Sequence, residues 1–242
     1  MRRILAALIL LAGLAGCSAA PPSGGAASAV HLTATLVSPY NVKLDWQGSE
    51  PGAAGYALEY ATAPDGPFTV LQFVPAGQTT YTHPDLMPQT TFYYRLRPYL
   101  GPTSAPVEVT LPPGDFDENA QKDDQEWAKP RVGSGGVAAT QSIRNPGTAG
   151  AAAPTGFTAT IKDANGIQFA WTDHASDEEG YLLEVRPADS SAFGVADVLD
   201  PNVSGCGLVT LPNEKHAWYR VRPFYYGPQS NVVHQTTGAG TG

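Results

Sequence analysis

Apolar and polar residues alternate along several short stretches of the chain. Val42-Lys43-Leu44-Asp45-Trp46 is apolar at every second position, and the alternation returns in Tyr56-Ala57-Leu58-Glu59-Tyr60 and in Tyr94-Arg95-Leu96-Arg97-Pro98-Tyr99. A period of two marks a strand with one buried face. Shorter stretches at Val30–Leu36, Phe68–Val70, Thr79–Tyr81 and Val107–Leu111 read as further strands. Turn formers stand between them: Pro39, Gly48, Pro51-Gly52, Pro64-Asp65-Gly66-Pro67, Gly77 and Gly101-Pro102. About seven short strands at this spacing predict an antiparallel β-sandwich.

The pattern is made twice. Tyr219-Arg220-Val221-Arg222-Pro223-Phe224 repeats the stretch that begins at Tyr94, 125 positions later. Trp46 maps to Trp171, Gly55-Tyr56 to Gly180-Tyr181, Leu58-Glu59 to Leu183-Glu184, Phe68 to Phe193 and Val70 to Val195 in the same register. After Phe224 the offset slips by one, so that Gly101-Pro102 corresponds to Gly227-Pro228. An ungapped register over five strands implies a duplicated domain. The boundaries are 30–112 for the first domain and 154–237 for the second, with Val107–Leu111 as the last strand of the first. Residues 113–153 between them are acidic at first and then rich in Gly, Ala, Ser and Pro, and read as a flexible linker. A short helix over Glu118–Lys129 is compatible with the acidic half.

Alternation assigns the faces. Leu44, Trp46, Tyr56, Leu58, Phe92, Tyr94 and Leu96 point inward in the first domain, as do Phe169, Trp171, Tyr181, Leu183, Tyr219 and Val221 in the second. Glu59, Arg95 and Arg97 point outward, as do Glu184, Arg220 and Arg222.

The tryptophan on an early strand of each copy, the Gly-Tyr-x-Leu-Glu strand and the turn Leu86-Met87-Pro88 leading into Tyr94 resemble the fibronectin type III family. The second copy's Trp171-Thr172-Asp173 and Glu179-Gly180-Tyr181 resemble its bacterial branch. The resemblance covers both copies nearly end to end. It implies two tandem immunoglobulin-like sandwiches joined by a flexible linker, and says little of function. It implies neighbouring strands that bring Glu59 to Arg95 or Arg97, and Glu184 to Arg220 or Arg222, as exposed cross-strand pairs. The family also places a tyrosine two residues before Tyr94 and Tyr219. Phe92 and Ala217 stand there, neither can supply its hydroxyl, and the second domain is expected to be the less stable when separated.

The N-terminus carries a different signal. Two arginines precede the apolar run Ile4–Leu14, which is short for a membrane span, and small residues lead to Cys17. Leu14-Ala15-Gly16-Cys17 resembles the bacterial lipoprotein box. The resemblance implies a signal peptide over 1–16, lipid on Cys17 and a flexible tether over 17–29. The alternative is an ordinary secretory leader with a coincidental cysteine. Localisation is then that of a membrane-anchored lipoprotein facing outside the cytoplasm, in the periplasm, at the outer membrane or on the cell surface. Ser18 leans toward the outer membrane.

The formal net charge of −8 argues against a nucleic-acid partner. Cys206 is the one cysteine besides Cys17, so no internal disulfide forms without freeing Cys17. Cys206 aligns with Tyr81 on an inward-pointing strand and reads as an inert buried thiol. Asp115, Asp117, Asn119, Asp123 and Glu126 match the ligand spacing of a calcium loop, but Ala120 holds the place that needs glycine. The preferred reading is a solvated spacer without metal. None of the five histidines falls in a metal-binding pattern, although His174 lies in an acidic turn from Asp173 to Glu179. No nucleophile elbow, phosphate loop or dinucleotide fingerprint is present, so no cofactor or enzyme activity is expected.

The remaining chemistry is aromatic and basic. Tyr93, Tyr99, Trp218, Arg220, Arg222, Phe224 and Tyr225 form a candidate binding surface at the repeated strand, because aromatics beside arginine stack on sugars or seat a protein partner. The expected role is that of a non-catalytic envelope protein, a spacer or protein-interaction module with a protein or glycan partner outside the cytoplasm. The alternative is a carbohydrate-binding lipoprotein using the aromatics of the second domain.

Overall fold

The structure, a computed structural model, describes residues 28–114, 126–133 and 139–239. Cys17, the tether through residue 27 and four of the five candidate calcium positions lie outside these residues, as does most of the helix expected over 118–129. Glu126 is described, is exposed, and pairs with Lys129.

The fold is all-β. In the first half, β1 (His31–Ser38), β2 (Asn41–Gln47) and β5 (Thr80–His83) form a three-stranded antiparallel sheet in the order β1-β2-β5. β3 (Gly55–Ala61), β4 (Thr69–Pro75) and β6 (Thr91–Leu100) form the facing sheet in the order β4-β3-β6. The second half repeats this. Its first sheet combines β9 (Thr155–Ile161), β10 (Gly166–Thr172) and β13 (Val203–Val209), and its second combines β11 (Gly180–Pro187), β12 (Gly194–Leu199) and β14 (His216–Tyr226). β8 (Arg131–Val132) adds to the free edge of β13.

Every residue assigned inward by alternation is buried, from Leu44, Leu58, Tyr94 and Leu96 at 0% exposure to Trp171 at 6%. Two cores result, one around Trp46, Tyr56 and Tyr94, the other around Trp171, Tyr181 and Tyr219. Each tryptophan leaves its indole N–H without a hydrogen-bond partner. An unmet buried donor costs about 1–3 kcal/mol, which the burial of a ring this size offsets.

The last strands depart from the expected arrangement. β7 (Val107–Thr110) was expected as the last strand of the first sandwich, but it pairs with β14 of the second. β15 (Val233–Thr236) does the reverse and pairs with β6 of the first. The halves have exchanged their closing strands.

The crossings use equivalent residues. Ser104 N–H donates to Val221 O at 2.9 Å, and Val221 N–H donates to Ser104 Oγ at 3.1 Å. Ser230 N–H donates to Leu96 O at 2.8 Å, and Leu96 N–H donates to Ser230 Oγ at 3.0 Å. Both serines are buried. Gly101 is required at the first crossing, since its φ is +143° and a Cβ there would meet Pro223 O at 2.0 Å. The strand ends join as well, with Leu100 opposite Tyr225 and Tyr99 opposite Tyr226. β6 and β14 therefore belong to one sheet running β12-β11-β14-β6-β3-β4.

The stretch expected to be a disordered linker is bound to the second sandwich over much of its described length. Ile143 and Ala152 are buried with Ala175 under Tyr225. Trp127 lies against Gly166 and Gly207, where a Cβ would collide with its ring, and Gly207 N–H donates to Ala128 O at 3.1 Å.

The missing family tyrosine is also replaced. Tyr219, two residues after Ala217, donates from its hydroxyl to Glu214 O at 3.1 Å, so a hydrogen bond holds this corner and not packing alone. In the first sandwich the Tyr94 hydroxyl lies 3.1 Å from His83 Nδ1. Because each sandwich lacks its closing strand when cut from the other, comparing separated domains does not isolate this corner.

Two outcomes follow. Thr91 Oγ1 and Thr236 Oγ1 are 2.9 Å apart across β6 and β15, so Thr91→Cys with Thr236→Cys should form a disulfide under mild oxidation, read by peptide mapping. A closing strand left on its own half would keep these cysteines apart. His83 packs edge-on against Tyr60, Phe92 and Tyr94, and burial lowers its pKa. The unfolded chain then binds the proton more readily than the folded one. Its stabilising contribution is complete above the ordinary histidine pKa of about 6.5 and is lost as pH falls through the lower folded value. Urea midpoints of the full chain should drop with acidification over that window, and His83→Gln should flatten the drop.

Candidate functional site

The densest cluster of charge lies where β3 meets β6 and where β11 meets β14. The register sets Glu59 opposite Arg95 and Glu184 opposite Arg220, with the second arginine of each pair two residues along on the same face. Arg95 Nε is 2.6 Å from Glu59 Oε2, and Arg97 Nε lies 3.1 and 3.0 Å from the two carboxylate oxygens. In the second copy Arg220 Nε is 2.5 Å from Glu184 Oε2, and Arg222 Nε is 2.9 Å from Oε1.

The expected pairing is present, but not the expected exposure. Glu59 and Glu184 are 1% and 2% exposed. Rings and the opposite half cover them. Arg95 stacks on Phe68 at 4.1 Å and Arg220 on the equivalent Phe193 at 3.9 Å. Arg97 lies 3.6 Å over Tyr226 of the other half, and Arg95 Nη1 donates to Gln229 Oε1 at 2.8 Å. Arg222 donates to Gly101 O. The outward faces of the two sandwiches meet in a third apolar cluster of Tyr99, Leu182 and Phe224, flanked by Phe73 and Val195.

The candidate binding surface is therefore divided and largely covered. Tyr99 and Phe224 are 4% and 3% exposed, and Arg222 is 7% exposed. Burial pushes the Tyr99 hydroxyl pKa up to about 12. Tyr93 is half-buried beside His234 of the exchanged strand, with ring centroids 5.6 Å apart. Trp218 is half-buried, with Arg186 at 4.1 Å over its ring and His216 at 5.2 Å. Tyr225 carries Arg144 at 4.6 Å. Tyr99, Phe224, Tyr93 and Tyr225 pack where halves or linker meet, Trp218 packs within its own half, and together they do not form one open platform.

The acidic turn is likewise committed to structure. Asp177 accepts from Ser142 Oγ at 2.5 Å and Ile143 N at 2.8 Å, and Arg144 Nη2 lies 2.7 Å from Glu179 Oε1. Burial raises the Asp177 pKa, but these donors outweigh it and the net shift is downward. Asp173 accepts from Ala175 N–H and from the Tyr181 hydroxyl, and Glu178 accepts from Asn202 N–H at 3.0 Å. His174 Nε2 lies 2.8 Å from Thr155 Oγ1. Among the described residues, no three His, Cys, Asp or Glu side chains are placed to hold a metal ion. Cys206 is buried and free, and burial pushes its thiol up to about 12, as an inert core thiol requires.

Sequence reasoning missed the serines at the crossings. Their signal was the one-residue slip after Phe224, which places Ser230 opposite Ser104 in the aligned halves.

No family model matches the chain, and no curated protein matches it. Among solved structures, it is similar to a segment of two fibronectin type III domains from chicken tenascin, at 15% identity and a TM-score of 0.26 over 86% of this chain and 97% of that one. The FN1–FN3 domains of chicken CNTN1 match at 13% identity and 0.27, over 86% and 97%. The fn3 domain of human collagen alpha-1(XX) matches at 21% identity and 0.27, over 33% and 73%. The strand order and register of each half are those of a two-sheet antiparallel sandwich.

Removing either buried carboxylate strands two guanidinium groups. Glu184→Ala should cost about 3–5 kcal/mol of unfolding free energy. Glu59→Ala should cost less, because Arg95 and Arg97 keep 22% and 26% exposure whereas Arg222 keeps 9%. Glu108→Ala removes an exposed contact to His216 and should change stability by less than about 1 kcal/mol. Urea denaturation of the three variants checks the order.

Proposed function

We propose that the protein is a non-catalytic, lipid-anchored protein outside the cytoplasm, acting as a spacer or protein-interaction module. The observation that carries this reading is the use made of its polar side chains. The buried Glu59 and Glu184 are each fully engaged by two arginines, and Asp173, Asp177 and Glu178 bind neighbouring backbone and hydroxyl groups. The clusters a catalytic reading would need are occupied in structural bonds, within each sandwich for Glu59, Glu184, Asp173 and Glu178 and to the linker for Asp177. A stiff paired sandwich suits presentation of a surface at a fixed distance from its point of attachment.

The anchoring part rests on Leu14-Ala15-Gly16-Cys17 and its likeness to the lipoprotein box. No helix among the described residues is long and apolar enough to cross a membrane. Two or more acyl chains on Cys17 would suffice for stable attachment. A glycan platform on Tyr99 and Phe224 is not proposed, because both rings are buried.

The full chain expressed in a bacterial host should fractionate with membranes and carry acyl mass on the peptide beginning at Cys17. Cys17→Ser should move it to the soluble extracytoplasmic fraction. An unacylated wild-type protein would refute the anchor. Crosslinking from the native envelope should recover a protein partner with no substrate turnover.

A further inference from the structure

The two exchanged strands do not bring equal side chains. β7 sets Val107 opposite Tyr219 and Val109 opposite Ala217, and Leu111 follows with its N–H donating to Lys215 O. β15 sets Val233 opposite Tyr94 and Gln235 opposite Phe92, and Thr237 follows with its N–H donating to Thr90 O. Val109 and Leu111 are 6% and 5% exposed and belong to the second core. At the matching places on the first sandwich, Gln235 turns its amide to Ala34 O at 3.0 Å, and Thr237 donates its hydroxyl to Met87 O at 2.5 Å. β15 thus adds one partly buried valine to the first core where β7 adds three apolar side chains to the second.

The ladder itself is complete in both places, so the difference lies in apolar burial, the main driving term of strand docking. The β6 edge holds a strand that fits its core less well than the strand β14 holds. A segment with apolar residues at all three inward places would fit it better.

We infer that the β6 edge of the first sandwich is a strand-acceptor site. Its occupant β15 is displaceable, and the edge takes an extended segment of a partner protein that is apolar at three alternate positions. The segment lies antiparallel to β6, in the register β15 now holds. Main-chain hydrogen bonds supply affinity and the alternate inward places supply selectivity. An acidic side chain at the place of Gln229 meets the Arg95 guanidinium, which Gln229 now contacts at 2.8 Å. β15, together with residues 229–232 that lead into it, competes from a short tether after Tyr226, at an effective concentration on the order of millimolar. Polar strands are therefore excluded, and only segments with the better apolar fit enter. The inference rests on the reading of the protein as an interaction module, but it needs no lipid, so its failure is distinguishable from that of the anchor.

The probe is a fluorescent peptide with the sequence of residues 103–112, titrated against the full chain in detergent. Saturable binding is expected, with amide exchange accelerating over 233–236 and unchanged over 107–110. The same peptide carrying Val109→Asp should bind at least about tenfold more weakly. The full chain with Gln235→Val and Thr237→Leu has a better-fitting β15 and should also lose at least about tenfold. Asn231 fastens the start of β15 by two bonds to the Leu32 backbone, at 2.8 and 2.9 Å, so Asn231→Ala should strengthen binding and provides a second readout if the double variant fails to fold. Absence of binding to both wild type and Asn231→Ala would overturn the inference, as would binding indifferent to Gln235→Val and Thr237→Leu. Self-association of the chain without peptide, abolished by those two substitutions, would give the site to a second copy and overturn the choice of a separate partner.

Discussion

Neither hydrophobic core is closed by its own half. A sandwich whose last strand is absent leaves one sheet edge with unpaired backbone groups and one side of its core open to water, and both are costly. Here each half meets the other's deficit, and the burial of Val109 and Leu111 in the second core depends on residues encoded before that half begins. The stability of the two cores is therefore coupled. The crossing is permitted at Gly101, where a side chain would collide with Pro223, and is held at Ser104 and Ser230, which bond in the same way to opposite strands.

The buried glutamates follow from this arrangement. Once the strands cross, the arginine-bearing faces of β6 and β14 turn toward each other and are covered. A lone carboxylate there would carry a heavy desolvation cost, and two guanidinium groups without it would be worse. One glutamate with two arginines, each arginine also stacked on a ring or bonded to a carbonyl, satisfies most of the donors. Such clusters add little net stability over an apolar face.

Much of this was legible in the chain. Period-two alternation assigns the inward faces of β2, β3 and β6 because each residue's side is a local property of a strand. It puts Glu59, Arg95 and Arg97 on outward faces, and the resemblance to fibronectin type III, which implies that β3 and β6 are neighbours, brings them together. What covers that face is not local, so burial of the pair was invisible. The same holds for Tyr99 and Phe224, which look like exposed aromatics until the second sandwich is set against them. Residues 139–153 have the composition of a tether, yet Ile143 is buried and Asp177 grips the neighbouring backbone. The strand exchange was the hardest to see, because Val107–Leu111 and Val233–Thr236 suit either acceptor by pattern alone. Cys17 and most of the acidic segment keep only the meaning their sequence lends them.

The crossing of β7 and β15 also changes what counts as a domain. Physically, the first sandwich is β1 to β6 completed by β15, and everything between Leu100 and Gly227 is an insertion into one of its loops. The inserted unit starts with its own final strand, β7, and is a circular permutation of the first. Its entry and exit lie side by side, with Leu100 opposite Tyr225, as an insertion requires. The permuted unit is continuous in sequence and the host is not. Both ends of the described fold, at Val30 and Thr237, therefore belong to the host. Tension applied between them would pass through the first sandwich and leave the inserted one outside the path of the load.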